Sequence, residues 1–206
     1  MTAWHDILYK QAPTVTPFDP ALVNPASVDL RLGSQLRRVH PLWATLLPLG
    51  LRALVSGEGL PWSAARLLSE QEMAVFHASG GDPETLPKWG PVETFDTAWL
   101  MPQEFVLCSS LETVTVPDDA VALLFSKSST GRRGLEHLHA GLGDPGFCGT
   151  WTWELHNVAL WPIKLVAGQR LMQHIFIRLA APPMRTYAET GRYQGQQGPT
   201  PARSPG

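Results

Sequence analysis

The chain has 206 residues, a formal net charge of −2 and an apolar fraction of 44%. That length suits one domain, or one domain with an elaborated insert, and the apolar fraction is enough for a sizeable core. The charge excludes a nucleic-acid coat or a polybasic membrane anchor, so any anion site must be a local cluster of basic residues.

In chain order, MTAWHDILYK has no apolar core of signal-peptide length, and no run of about 18 apolar residues follows that would span a bilayer. A soluble, cytoplasmic protein is expected. Trp4 to Lys10 reads as a short helix, followed by a Pro-punctuated extended segment. Asn24-Pro25-Ala26-Ser27 turns the chain into Val28–Gly33, where Val28, Leu30 and Leu32 alternate with Asp29 and Arg31. That is the period of a half-buried strand, with Asp29 and Arg31 expected on its solvated face. Residues 41–97 read as an insert of irregular or helical character. Within it, Leu42 to Leu54 suits a buried helix, and Ser63 to His77 an amphipathic one capped by Ser63. The aromatic residues Trp43, Trp62, Phe76 and Trp89 are expected in core or subunit contacts rather than in a base-stacking platform.

After Trp99 the strand signals become regular. Glu104–Cys108 and Glu112–Val116 are separated by a polar break, and Pro117-Asp118-Asp119 turns into Val121–Phe125. Strands resume at Thr150–Leu155, Ile163–Val166 and Met172–Leu179. Short strands at this spacing, with 19 prolines and 18 glycines along the chain, predict a mainly β sandwich or barrel. Residues 180–206 are rich in Pro, Gly, Gln and Arg without periodicity, and alone should be mobile unless a ligand or a neighbouring subunit orders them.

The chemistry concentrates between Lys127 and Asn157. Ser128 and Ser129 stand among small residues where backbone N–H groups can approach an anion, and Lys127, Arg132 and Arg133 bring positive charge. Asp144-Pro145-Gly146 is a turn. Glu154 lies between Trp153 and Leu155 in an apolar strand, where an acid is costly unless something uses it. Phosphate-gripping residues followed by a poised carboxylate point to a nucleotide site with acid–base chemistry. A buried structural ion pair between Glu154 and an arginine is the alternative.

Other chemistries are excluded by spacing. Cys108 and Cys148, the only two cysteines, cannot assemble the Pro-Cys-x-x-Cys site of a zinc deaminase, and they fit a reducing cytosol. His137 and His139 stand two apart without a third ligand at a recognisable spacing, so a structural or solvent-facing role is expected for them. Gly131-Arg132-Arg133-Gly134 is not a Walker loop, and no G-x-S-x-G elbow is present.

Three separated motifs, in order, carry a resemblance. Lys127-Ser128-Ser129-x-Gly131-Arg132-x-Gly134, Ala140-Gly141-x-x-Asp144-Pro145-Gly146-Phe147-x-Gly149 and Glu154-Leu155-x-Asn157 resemble the dCTP deaminase family of the trimeric dUTPase-like superfamily, including its bifunctional dCTP deaminase/dUTP diphosphatase branch. Asn24 to Gly33 is similar to that family's N-terminal strand, and Tyr193 to Arg203 to its C-terminal lid, so the matches cover residues 16–40 and 98–203.

The resemblance implies a distorted jelly-roll or dUTPase-like β-barrel in a single domain, a homotrimer with sites between subunits, and residues 180–206 as a flexible lid. It implies deamination of dCTP to dUTP without zinc, with magnesium bound through the triphosphate. Glu154 would activate the water that attacks carbon 4 of cytosine, Ser128 and the Ala140 backbone would hold the site, and Arg132 would fix the charge and orientation of Glu154. A pKa raised by burial would let one carboxylate take and return the proton. Lys127 and Ser129 would bind phosphate oxygens, Asp144 would lie against the deoxyribose, and Thr152 would contact the nucleotide. Tyr187, Arg192 and Gln196 would close over the triphosphate. The alternatives are the bifunctional form giving dUMP and diphosphate, an inactive nucleotide-binding regulator, and a deaminase of 5-substituted dCTP. Departures from the family pattern are Arg133, Gly143 and a shortened segment between Gly134 and Ala140. Gly143 is the one expected to make room for a substituted base.

Overall fold

The computed structural model describes residues 15–38, 89–138 and 140–203. The helices expected at Trp4–Lys10, Leu42–Leu54 and Ser63–His77, most of the 41–97 insert with Trp43, Trp62 and Phe76, and His139 lie outside the described residues. The chain divides into two compact units, one of Met1–Arg37 with Val92–Arg203 and one of Arg38–Pro91 with Ser204–Gly206. The first unit carries the sheets.

Eleven strands follow one another along the described chain. They are β1 (Val15–Thr16), β2 (Val28–Arg38), β3 (Glu93–Thr94), β4 (Thr97–Leu100), β5 (Phe105–Thr115), β6 (Ala120–Ser126), β7 (Leu135–His137), β8 (Leu142–Gly143), β9 (Cys148–Asn157), β10 (Ile163–Val166) and β11 (Arg170–Arg178). The large sheet has the order β7-β9-β5-β2-β11-β6-β8, with β1 on β5 and β3 on β2, while β4 and β10 pair separately. One-turn helices α1 (Ser128–Gly131) and α2 (Tyr187–Thr190) stand after β6 and in the tail. The mainly β expectation is met.

Alternation explains the core. On β9, Trp151, Trp153 and Leu155 turn inward while Thr152, Glu154 and His156 lie on the more exposed face. Leu30 and Leu32 of β2 and Leu171 of β11 join that core with no exposed surface. Each such aliphatic side chain stabilises the fold by about 1.5–3 kcal/mol relative to exposure.

Two expectations are corrected. The polar break at Ser109-Ser110-Leu111 is no loop: β5 runs through it, with a bulge in its pairing to β9 between Ser109 and Thr113. Where the ladder lapses, the Trp151 N–H donates to Ser110 Oγ at 2.8 Å, and that hydroxyl donates to the Glu112 carbonyl at 2.6 Å. The bulge's polar residues thus satisfy the backbone that the bulge releases.

Asp29 and Arg31 are likewise not on a solvated face. Asp29 is fully buried; its Oδ1 accepts from Asn24 Nδ2 at 2.8 Å and from Lys127 Nζ at 2.5 Å, and Arg170 lies 3.6 Å from Oδ2. Arg31 donates from its backbone N–H and its Nε to the two oxygens of Glu112, itself fully buried. Alternation predicts which way a side chain points, but not that later strands carry countercharges to meet it.

His174 on β11 was not anticipated. It is fully buried, neither ring nitrogen has a hydrogen-bond partner, and its ring meets Phe176 edge-on at 4.7 Å. Burial pushes its pKa down to about 3, so it is neutral in the fold.

Candidate active site

β9 presents Glu154 at a junction. One edge of β9 pairs with β5 along most of its length, with Glu154 opposite Leu107. On the other edge β7 pairs with Leu155–Asn157, and the Leu138 N–H extends that contact to the Glu154 carbonyl. Further back along the same strand the partner is the C-terminal tail. Gly195 N–H donates to the Cys148 carbonyl at 2.7 Å, and Thr150 N–H donates to the Gln196 carbonyl at 3.0 Å. Gln196 Nε2 returns a bond to the Thr150 carbonyl at 2.8 Å, and Thr200 N–H reaches Thr152 Oγ1 at 3.1 Å. Glu154 stands just beyond the last of these contacts.

Gly149 permits this approach, since a Cβ there would meet the Gln196 carbonyl oxygen at 2.9 Å. The tail is also anchored at the Asp144-Pro145-Gly146-Phe147 turn. That turn closes by Phe147 N–H to the Asp144 carbonyl, with Gly146 at φ +86°, a value glycine adopts freely. Tyr187 donates its N–H to the Pro145 carbonyl at 2.7 Å and sets its ring edge-on to Phe147 at 5.7 Å. The described part of the tail makes these contacts within its own chain, along a strand edge that β7 leaves bare.

The Glu154 carboxylate is a quarter exposed, and His137 Nε2 lies 3.1 Å from its Oε2. The two atoms are at ion-pair distance but are not aligned as a hydrogen bond, and both are buried without another hydrogen-bond partner. His137 is buried and sits on β7, opposite Leu155. The sequence reading placed it in a structural or solvent-facing role. Its nearness to Glu154 depends on the β7–β9 register, which spacing along the chain does not reveal.

A family model for dCTP deaminase-like proteins matches residues 68–179. The chain belongs to the dCTP deaminase-like family. Named family relatives include the dUMP-forming dCTP deaminase of Beutenbergia cavernae, 40% identical over 192 residues, covering 91% of this chain and 84% of that protein. Those of a Nocardioides species and of Pseudarthrobacter chlorophenolicus are 36% and 38% identical, covering 91% and 95% of this chain and 85% and 88% of theirs. Among solved structures, the 2'-deoxycytidine 5'-triphosphate deaminase of Agrobacterium tumefaciens matches with a TM-score of 0.50 at 20% identity. That match spans 79% of this chain and 43% of the longer one, and it shows the dUTPase-like fold.

Set against the family motifs, the other expected residues fall into two groups. Ser128, Ser129 and Arg132 stand at α1 and are exposed. The Lys127 carbonyl accepts from Thr130 and Gly131, and Thr130 Oγ1 ties the turn to the Leu171 carbonyl at 2.8 Å. Among the described residues, no ion pair links Arg132 to Glu154 within the chain. Lys127 directs its ammonium at Asp29. Ala140 and Asp144 are exposed. Thr152, Tyr187 and Gln196 belong to the β9–tail assembly, and Arg192 contacts the Arg203 backbone there.

The family departures are placed as well. Arg133 reaches the Gln169 side-chain oxygen at 2.9 and 3.0 Å, with that amide oriented to accept. A Cβ on Gly143 would meet the Trp151 indole at 2.8 Å. The space left by the missing side chain is therefore taken by tryptophan. Asn157, the last motif residue, is fully buried and donates to the Leu100 and Trp161 carbonyls, both at 2.9 Å. It fastens the end of β9. No three His, Cys, Asp or Glu side chains come together as metal ligands among the described residues, and no described helix is long and apolar enough to cross a membrane.

Proposed function

We propose that the protein hydrolyses dCTP to release ammonia and carries the product on to dUMP and diphosphate. The observation that carries this is the placement of Glu154, a part-exposed carboxylate with unsatisfied oxygen, at the meeting of β7, β9 and the tail. The dUMP-forming relatives favour the two-step outcome over the simple deaminase that the motifs put first.

In the deamination, Glu154 takes a proton from water as the C4–O bond forms, then delivers it to the exocyclic nitrogen as the C4–N bond breaks. The carboxylate is regenerated and ammonia leaves. Ser128 and the Ala140 backbone hold the base and water, and Arg132 counters the charge of Glu154. Ser128 and Arg132 are solvent-facing in the single chain, which supports a homotrimer whose sites lie between subunits, with one copy's α1 serving another's Glu154. Ser129 binds phosphate oxygens, and so does Lys127 once it turns from Asp29. Asp144 and Thr152 contact the sugar and base, and Tyr187, Arg192 and Gln196 close the lid formed by residues 180–206. Magnesium would be carried in by triphosphate oxygens and would neutralise their charge. The exposed hydroxyl and cationic groups at α1 suit such a polyanion. Cellular nucleotides as substrates put this work in the cytoplasm.

The test is incubation of the purified protein with dCTP and magnesium, with dUTP in parallel, and resolution of products by ion-exchange chromatography. dUMP from both nucleotides is the expected result. Accumulating dUTP with added dUTP intact would mean a simple deaminase, and no turnover of either would overturn the reading.

A further inference from the structure

We propose that His137 is a positioning residue for Glu154, holding carboxylate oxygen Oε2 so that Oε1 is left to meet the attacking water. The inference rests on the deaminase reading above and names a residue which that reading did not use.

The contrast with Glu112, a carboxylate whose two oxygens are both bonded, makes the case. Glu112 receives two donors from Arg31, at 2.9 and 2.6 Å, and is sealed. Asp29 is fully buried and takes donors from Asn24 and Lys127 on Oδ1, while Arg170 stands 3.6 Å from an Oδ2 that has no hydrogen bond. Glu154 Oε2 instead has a single neighbour, His137 Nε2, at 3.1 Å and out of alignment. A pair built for stability would be aligned and closed to solvent, whereas Glu154 remains a quarter exposed. Catalytic hydrogen bonds are often loose in the free enzyme and tighten when substrate is bound.

The chemistry asks for a donor here. A carboxylate that must accept a proton on one oxygen works best when the other is fixed. A neutral imidazole with its proton on Nε2 fixes it without adding a net charge. His137 neither gains nor loses a proton over the cycle: water's proton goes to Oε1 and then to the leaving ammonia. Its rigidity comes from β7, where Leu135–His137 pair with Leu155–Asn157. Of the other titratable groups on the two strands, Glu136 and His156 are opposite each other in that register, and Cys148 stands at the far end of β9.

The experiment compares the full-length wild type with His137→Leu and His137→Gln, measuring kcat and KM for dCTP by ammonia release across pH, with thermal melting to check folding. His137→Leu is expected to lower kcat by up to about 100-fold, the cost of a misplaced catalytic group, while KM stays nearly unchanged. His137→Gln, whose amide can still donate, is expected to recover a large part of the loss. Unchanged kcat and pH profile in His137→Leu would overturn the inference, as would a rise in KM alone. Wild type that does not deaminate dCTP would sink the functional reading, and this inference with it. Should His137→Leu not fold, the 15N signal of His137 Nε2 decides: it is expected to differ between wild type and Glu154→Gln, and identical signals would overturn the proposal.

Discussion

Two carboxylates on central strands of one sheet have opposite surroundings. Asp29 of β2 is fully buried and meets Asn24, Lys127 and Arg170, the last at 3.6 Å. Glu154 of β9 is a quarter exposed and meets one histidine, off-axis. A fully buried carboxylate faced by two cations of the fold is fixed and unreactive. One left part-exposed with a single off-axis histidine is held at a cost, and that cost points to use. The two also communicate: Lys127 pairs with Asp29 and immediately precedes Ser128, so the buried site anchors the segment that would serve the open one.

Substitution should separate the two most sharply at Glu154. Glu154→Gln is expected to cut ammonia release from dCTP by roughly 10²–10⁴-fold and leave the thermal midpoint little changed; a large loss of stability with little loss of rate would reverse the assignment. Asp29→Ala should act first on stability. It strands Lys127 beside a cavity and should cost about 3–5 kcal/mol in denaturant unfolding, and a neutral result would show that the pair contributes nothing. Glu112→Gln sharpens the same point at smaller scale. It keeps shape but loses charge opposite Arg31, for an expected loss of about 1–3 kcal/mol with deamination per folded molecule unchanged.

A further comparison concerns pH. His174 titrates near 3 in the fold against 6.5 when unfolded, so between those values the unfolded chain binds the extra proton. Stability is therefore full above about pH 6.5 and falls as pH drops towards 3, by at most about 1.4 kcal/mol per unit. His174→Phe should flatten that part of the melting-temperature profile. An unchanged slope would assign the acid sensitivity to other groups.

How much of this was legible in the sequence depended on range. The strand at Ile163–Val166 is legible to the residue, and Glu154 stands out as an acid between Trp153 and Leu155 in a largely apolar strand. The Asp144–Phe147 turn was visible because proline and glycine restrict or free the backbone locally. Asp29 and Arg31 were misplaced because their partners come from elsewhere in the chain, Glu112 being 81 residues from Arg31 and Lys127 98 residues from Asp29. The same limit hid His137 beside Glu154, and the tail's contacts with an edge of β9 that only the sheet topology leaves open.

Gly143 and Trp151 carry a consequence for how relatives of this chain can differ. They occupy one volume between them, since a Cβ on the glycine would stand 2.8 Å from the indole and 3.1 Å from Ala122. The two positions are not free to drift separately: a branched residue at the first requires a smaller one at the second. An alignment of relatives should therefore show bulk moving from one site to the other while their summed size stays nearly constant. Gly143→Val alone should be poorly tolerated, and Gly143→Val with Trp151→Val should restore much of what it loses. Such a trade would mark this corner of the barrel as conserved in volume rather than in residue identity.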